Sequence, residues 1–300
     1  MNTTVDSGEG EIAKRRVLRE LIAYFALAFA ISWGLGATVI FFRPQFEAIV
    51  GPLGPLITSW PYYVAVCAPM ISAVLVSAAF GGLDGVKNLF AGLVRPFRLR
   101  WLFVALLAFP IGLLVIGLVE RALFGNEGSH GVNTHAILVG APLLLISGRS
   151  FVDPGPWGEE TGWRGFALPR LLTRFSPLTA AVILGAIWGI WHTPAFFLSG
   201  LYQSTYNYSE FIVAAVGETI FATWIFVNAN RNYLVAGYVV HAMNNLMVTA
   251  GVFTDLRIQD LVYISIALLV VSISGPGLKG WRFAQTTKPA DSAKSTLGIR

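Results

Sequence analysis

Charge-poor apolar runs, set between polar or Pro/Gly breaks, divide this chain. Leu21 to Phe42 and Leu102 to Val119 contain no Lys, Arg, Asp or Glu, and each is long enough to cross a bilayer, which takes about 20 apolar residues as a helix. Reading every such run predicts eight membrane spans, at 21–42, 62–80, 102–119, 136–152, 177–199, 209–228, 233–253 and 259–276. The fourth is short and ends in the polar segment Ser147-Gly148-Arg149-Ser150. The expected fold class is therefore all-α, a polytopic membrane helix bundle of about eight transmembrane helices.

Composition agrees. Apolar residues make up 55% of the chain and charged residues 12%, with a mean hydropathy of +0.65, whereas a soluble domain is roughly a quarter charged. Soluble, disordered and disulfide-built classes are excluded. The single cysteine, Cys67, lies in an apolar run and reads as a packing residue.

The charge pattern supplies orientation. With an even number of spans and both termini cytoplasmic, eighteen of the 21 basic residues fall on the cytoplasmic side, leaving only Arg43, Arg121 and Arg257 outside. The net charge of +5 then reflects topology and contact with anionic lipid, and no nucleic-acid partner is expected. Residues 1–20 are expected to be a retained cytoplasmic tail, 21–284 a transmembrane domain, and 285–300 a disordered cytoplasmic tail. Gly185 and Gly189 are spaced for close helix contact. The expected location is the cell membrane, as a multi-pass protein.

In so apolar a chain, ionisable groups in or beside the spans are costly unless paired or solvated, and they mark a functional site. Three clusters stand out: Glu159-Glu160-Thr161-Gly162-Trp163-Arg164 on the expected cytoplasmic approach to the fifth span, Trp188 to His192 inside that span, and His241 to Asn245 inside the seventh. Glu218 is a fourth, isolated case. On a helix Glu160 and Arg164 stand at i and i+4 and would pair, with Glu159 turned about 100° away. The plainer reading of that segment is a surface salt bridge on an interfacial helix. His241 and Asn245 share a face by the same spacing, although an intramembrane His or Asn also serves simply to join helices. Pro194 would loosen the helix beside His192. At 1.5 Å per residue, His241 and Glu218 lie about 12 and 15 Å from the cytoplasmic side, but His192 lies about 23 Å away, which does not fit the same level. His130 and His135 fall in an external loop and read as surface residues.

A carboxylate, two histidines and an amide facing one cavity suit acid/base hydrolysis. Glu159, assisted by His192, would take a proton from a water attacking a peptide carbonyl, with His241 and Asn245 donating to the oxyanion. No Ser or Cys stands beside a base, which disfavours covalent catalysis. No cofactor is expected. The minority alternative is zinc held by His192, His241 and Glu159, though HExxH is absent.

The ordered set EExxxR, an aromatic four before His, and HxxxN resembles the CPBP family of CAAX proteases and bacteriocin-processing enzymes, also called the ABI or Rce1-like family. The resemblance covers about residues 140–250. It implies a glutamate-dependent intramembrane endopeptidase, with Glu159 and His192 on the water, His241 and Asn245 on the oxyanion, and Glu160 and Arg164 in support. Trp188 departs from it, since Phe is usual there. The implied partner is a peptide or protein substrate entering from the cytoplasmic side, with a lipidated or hydrophobic C-terminus in one version. The alternatives are a noncatalytic membrane immunity or partner protein, and a proton-coupled transporter in which Glu218 relays protons.

Overall fold

The computed structural model describes residues 5–125, 132–148, 151–252 and 255–280. These form helices without an extended strand: α1 Val5–Val50, α2 Trp60–Ala91, α3 Arg100–Phe124, α4 Ala141–Ile146, α5 Pro154–Gly162, α6 Leu168–Leu171, α7 Pro177–Trp191, α8 Tyr208–Asn228, α9 Val240–Thr249 and α10 Arg257–Ser274. Six helical segments are long and apolar enough to cross a membrane, and two shorter apolar ones, Ala136–Ile146 and Leu234–Thr249, accompany them. The protein is an all-α, multi-pass membrane bundle.

One expectation gains detail and another changes. The residues expected as an N-terminal tail are helical from Val5 and run without a break into the first span. Glu20, at their junction, accepts from Arg170 at 2.6 Å. The expected span 136–152 is the one that changes. Ala136–Ile146 is 11 residues long, about 16 Å of helix, which is too short for a core about 30 Å thick. The longer helix of this region is α5, the π-turn Trp163–Ala167 and α6, which follow one another without a break from Pro154 to Leu171, about 27 Å of helix. Asp153 begins it as the N-cap, its Oδ1 accepting from Gly155 N at 2.9 Å, with Pro154 in the first turn. The expected tail 285–300 and His130 lie outside the described residues, and His135 is exposed.

Close packing fixes this longer helix. A Cβ on Gly158 would stand 2.8 Å from both Cys67 Cα and Val66 O, and one on Gly162 would stand 2.5 Å from Pro69 Cβ and Tyr24 Oη. Glycines four apart thus let α5 lie directly on α2, as small residues do in membrane helix pairs. Gly185 and Gly189 do the same for α7 on α8.

The connections gather at two ends. At one end, Asn232 Nδ2 donates to Leu93 O and Arg95 O, Asn230 to Pro96 O, and Arg174 to Lys14 O. Asn133 N donates to Val252 O, and Tyr202 to Gln259, at the other. The first end carries the expected cytoplasmic basic residues, among them Arg16, Arg95, Arg170 and Arg231.

Candidate active site

The site consists of two layers across α5, α7, α8 and α9. In the inner layer Arg164 donates to Glu160 Oε1 at 2.8 Å and to Thr219 Oγ1 at 3.0 Å, and His241 Nδ1 lies 3.0 Å from the same Glu160 oxygen. The expected i, i+4 pair forms, but it is not the exposed salt bridge of the plainer reading: both Glu160 and Arg164 are 1% exposed. Two donors therefore converge on one buried carboxylate, as a charge deep in a bundle requires. The Arg164 guanidinium also lies over the Trp188 ring, 4.8 Å from its centroid.

Space for this carboxylate comes from Gly237, four residues before His241. A Cβ there would meet Glu160 Oε2 at 2.5 Å. The approach to each partner passes through a π-turn, Trp163–Ala167 at Arg164 and Leu234–Val239 before His241. Such turns shift the facing of everything beyond them and recur at functional sites.

The outer layer holds Glu159, His192 and Asn245. Trp188 Nε1 donates to Glu159 Oε2 at 2.6 Å, and that oxygen lies 3.8 Å from His192 Nε2. His192 Nδ1 is 2.9 Å from Trp188 O. A carbonyl only accepts, so Nδ1 carries the hydrogen and a neutral ring turns its Nε2 lone pair toward Glu159. His192 caps the end of α7, before the 3-10 segment Thr193–Phe197. Asn245 Nδ2 donates to Asp153 Oδ2 at 2.8 Å, so Asp153 both starts α5 and holds Asn245.

All four proposed reacting side chains, Glu159, His192, His241 and Asn245, line one cavity of about 280 Å³, together with Trp188 and Glu218. A smaller cavity of about 110 Å³ meets it at Glu159 and His192 and extends along apolar Leu35, Val39 and Leu198. Glu159 precedes Leu171 by 12 residues and His192 follows Pro177 by 15, about 18 and 22 Å from the basic end, so these two share a level. The cavity also brings His192 together with His241 and Glu218, which residue counts along the separate helices placed at another depth. Among the described residues no three His, Cys, Asp or Glu side chains are grouped to hold a metal ion. The Nδ1 atoms of both histidines are engaged within the protein.

Sequence reasoning did not single out Asp153, Gly237 or the Trp188 indole N–H as site residues. Asp-Pro is a helix-start signal that could have revealed Asp153, and Gly237 stands one helical turn before His241. The indole contact joins two helices and leaves no local signal.

Fold and site thus define a multi-pass membrane protein with an intramembrane Glu/His/Asn centre. Residues 142–247 match the family of type II CAAX prenyl endopeptidases, Rce1-like, a range that holds every one of these side chains. Over that third of its length the chain is similar to the Rce1-like family. A curated relative, CAAX prenyl protease 2 of Methanococcus maripaludis, is 26% identical over 190 residues, covering 59% of this chain and 66% of the relative. The alignment thus spans just under two thirds of that relative's length.

Proposed function

We propose that the protein is an intramembrane endopeptidase that cleaves a peptide bond with a water activated by Glu159 and His192. The observation that carries this reading is the pair Glu159 Oε2 and His192 Nε2, 3.8 Å apart on the wall of the cavity that His241 and Asn245 also line. Both atoms are acceptors. A water seated between them donates one O–H to each, which leaves an oxygen lone pair for the scissile carbonyl. Attack moves a proton from the water to Glu159 and negative charge to the carbonyl oxygen. His241 meets that charge through Nε2–H as an imidazolium, because Nδ1–H already donates to Glu160. The second amide hydrogen of Asn245 is the other donor, and Asp153 fixes the first. Collapse breaks the C–N bond, and the proton on Glu159 passes to the leaving amine. The reaction needs no cofactor.

The match to the Rce1-like family and the relative's name support a peptidase, and a peptide or protein is the proposed substrate, one with a lipidated or hydrophobic C-terminus being the version nearest to that name. The smaller apolar cavity beside Glu159 offers room for such a group. Comparing peptide termini from cells carrying wild type, Glu159→Ala or His192→Ala tests the reading. Termini present only with wild type are expected, and identical sets in all three would refute it.

A further inference from the structure

We infer that the catalytic cavity opens on the non-cytoplasmic side of the membrane, so that its substrate is a peptide segment lying on that side, exported or still anchored. The substrate half of this inference rests on the peptidase reading; the orientation does not.

Where the walls end is decisive. Beyond the reacting groups the cavity is bordered by Ile57 from the α1–α2 connection and Tyr62 in the first turn of α2, by Tyr202 and Gln203 from the α7–α8 connection, and by Thr249 and Gln259 flanking the α9–α10 connection. All three connections lie at the end opposite the basic one. A depression of about 350 Å³ does enter from the basic end, between Arg16, Arg95, Arg170 and Arg231, but it stops at Arg164. That depression has no lining residue in common with the catalytic cavity, and the Glu160–Arg164 pair beside it is buried.

Charge tells which end is which. Lys14, Arg15, Arg16, Lys87, Arg95 and Arg174 are among the many cations of the closed end. At the open end the described cations are Arg43, Arg121 and Arg257, and two of these are neutralised locally, Arg43 by Glu47 at 2.9 Å and Arg257 by Asp255 at 2.6 Å. Basic residues flanking membrane helices stay cytoplasmic, which places the mouth outside. Depth agrees, since Glu159 at about 18 Å and His192 at about 22 Å from the basic end lie beyond the middle of a core about 30 Å thick. Substrate entry from the cytoplasm, the expectation from the motif's apparent position before the fifth span, is reversed once that motif is buried within the bundle.

The experiment separates orientation from activity. In a Cys67→Ala background, single cysteines replace exposed Thr205 in the α7–α8 connection or exposed Lys87 near the basic end, and intact cells are treated with a membrane-impermeant maleimide. Thr205→Cys is expected to react in intact cells and Lys87→Cys only after permeabilisation; the opposite pattern overturns the orientation. Glu159-dependent termini are expected to map to non-cytoplasmic segments, and cytoplasmic ones overturn the substrate class. If labelling is as expected but no terminus depends on Glu159, the peptidase reading fails while the orientation stands.

Discussion

Glu159 and Glu160 are neighbours in the chain and opposites in the structure. Glu160 accepts from Arg164 and lies beside His241 Nδ1, behind the cavity wall that His241 forms, whereas Glu159 takes one indole N–H and keeps the rest of its carboxylate for what enters. Helix geometry alone separates them, by about 100° around α5. A site that must be both rigid and reactive can thus use two adjacent carboxylates, one bound up in internal contacts and one left free for chemistry. The comparison teaches that substitution in the inner layer should damage the fold and the reaction together, and substitution in the outer layer the reaction alone.

The largest expected effect is at Glu160. Glu160→Gln keeps the shape but leaves Arg164 buried without a carboxylate, which should cost about 3–5 kcal/mol of stability, read as a lower unfolding midpoint in detergent, with cleavage lost as well. Pairing it with Arg164→Met removes both charges, and apolar replacement of a buried pair is often neutral. Stability is expected to return without cleavage, because the amide can still accept from His241 but no longer carries the charge that favours its imidazolium. If cleavage returned too, the inner layer would have no part in charging His241.

Glu159→Gln should invert that pattern. The amide oxygen can still accept from Trp188, so the unfolding midpoint is expected to stay put while cleavage falls by about 10²–10⁴, the usual contribution of a positioned acid/base group. A comparable loss of stability would mean that Glu159 belongs structurally with Glu160.

Gly237 tests the inner layer from its other side. The Cβ of Gly237→Ala would enter Glu160 Oε2, and overpacking of this kind costs about 1–3 kcal/mol. Thermal unfolding should show that loss, with a fall in cleavage caused by displacement of Glu160.

Much of this arrangement was readable beforehand because charge is scarce in the chain. The apolar runs located most helices, and the i, i+4 spacings of Glu160 with Arg164 and of His241 with Asn245 gave the correct faces. The long helix that carries the site was passed over for the same physical reason that the site exists. Glu159, Glu160, Arg164 and Arg170 lower the hydropathy of 154–171 below that of the apolar but shorter 136–146, so a hydropathy reading prefers the shorter segment. Side chains satisfied by partners from distant helices, such as Arg164 with Thr219 on α8, make a charged helix tolerable inside the bundle, and such long-range satisfaction leaves no mark on the local pattern. Asp153 was missed because its partner Asn245 is 92 positions away.

Trp188 offers the finest test of the outer layer, with the smallest expected effect. Its indole N–H is the hydrogen bond the structure gives to Glu159 Oε2, and its ring lies beneath the Arg164 guanidinium, so it touches both layers. Trp188→Phe, the residue usual at this place in the family's second motif, keeps an aromatic face for Arg164 and removes only the donor to Glu159. Side-chain hydrogen bonds within membrane bundles contribute about 0.6 kcal/mol on average and about 1.7 at most, which corresponds to a fall in cleavage of about 3- to 20-fold. The unfolding midpoint should move little, since the ring contact survives. Trp188→Leu removes both contacts and should lower stability as well as rate. Equal behaviour of the Phe and Leu variants would show that the indole acts on the two carboxylates as one unit, and the division between an inner layer and a reactive one would then fail at Trp188, the side chain that joins them.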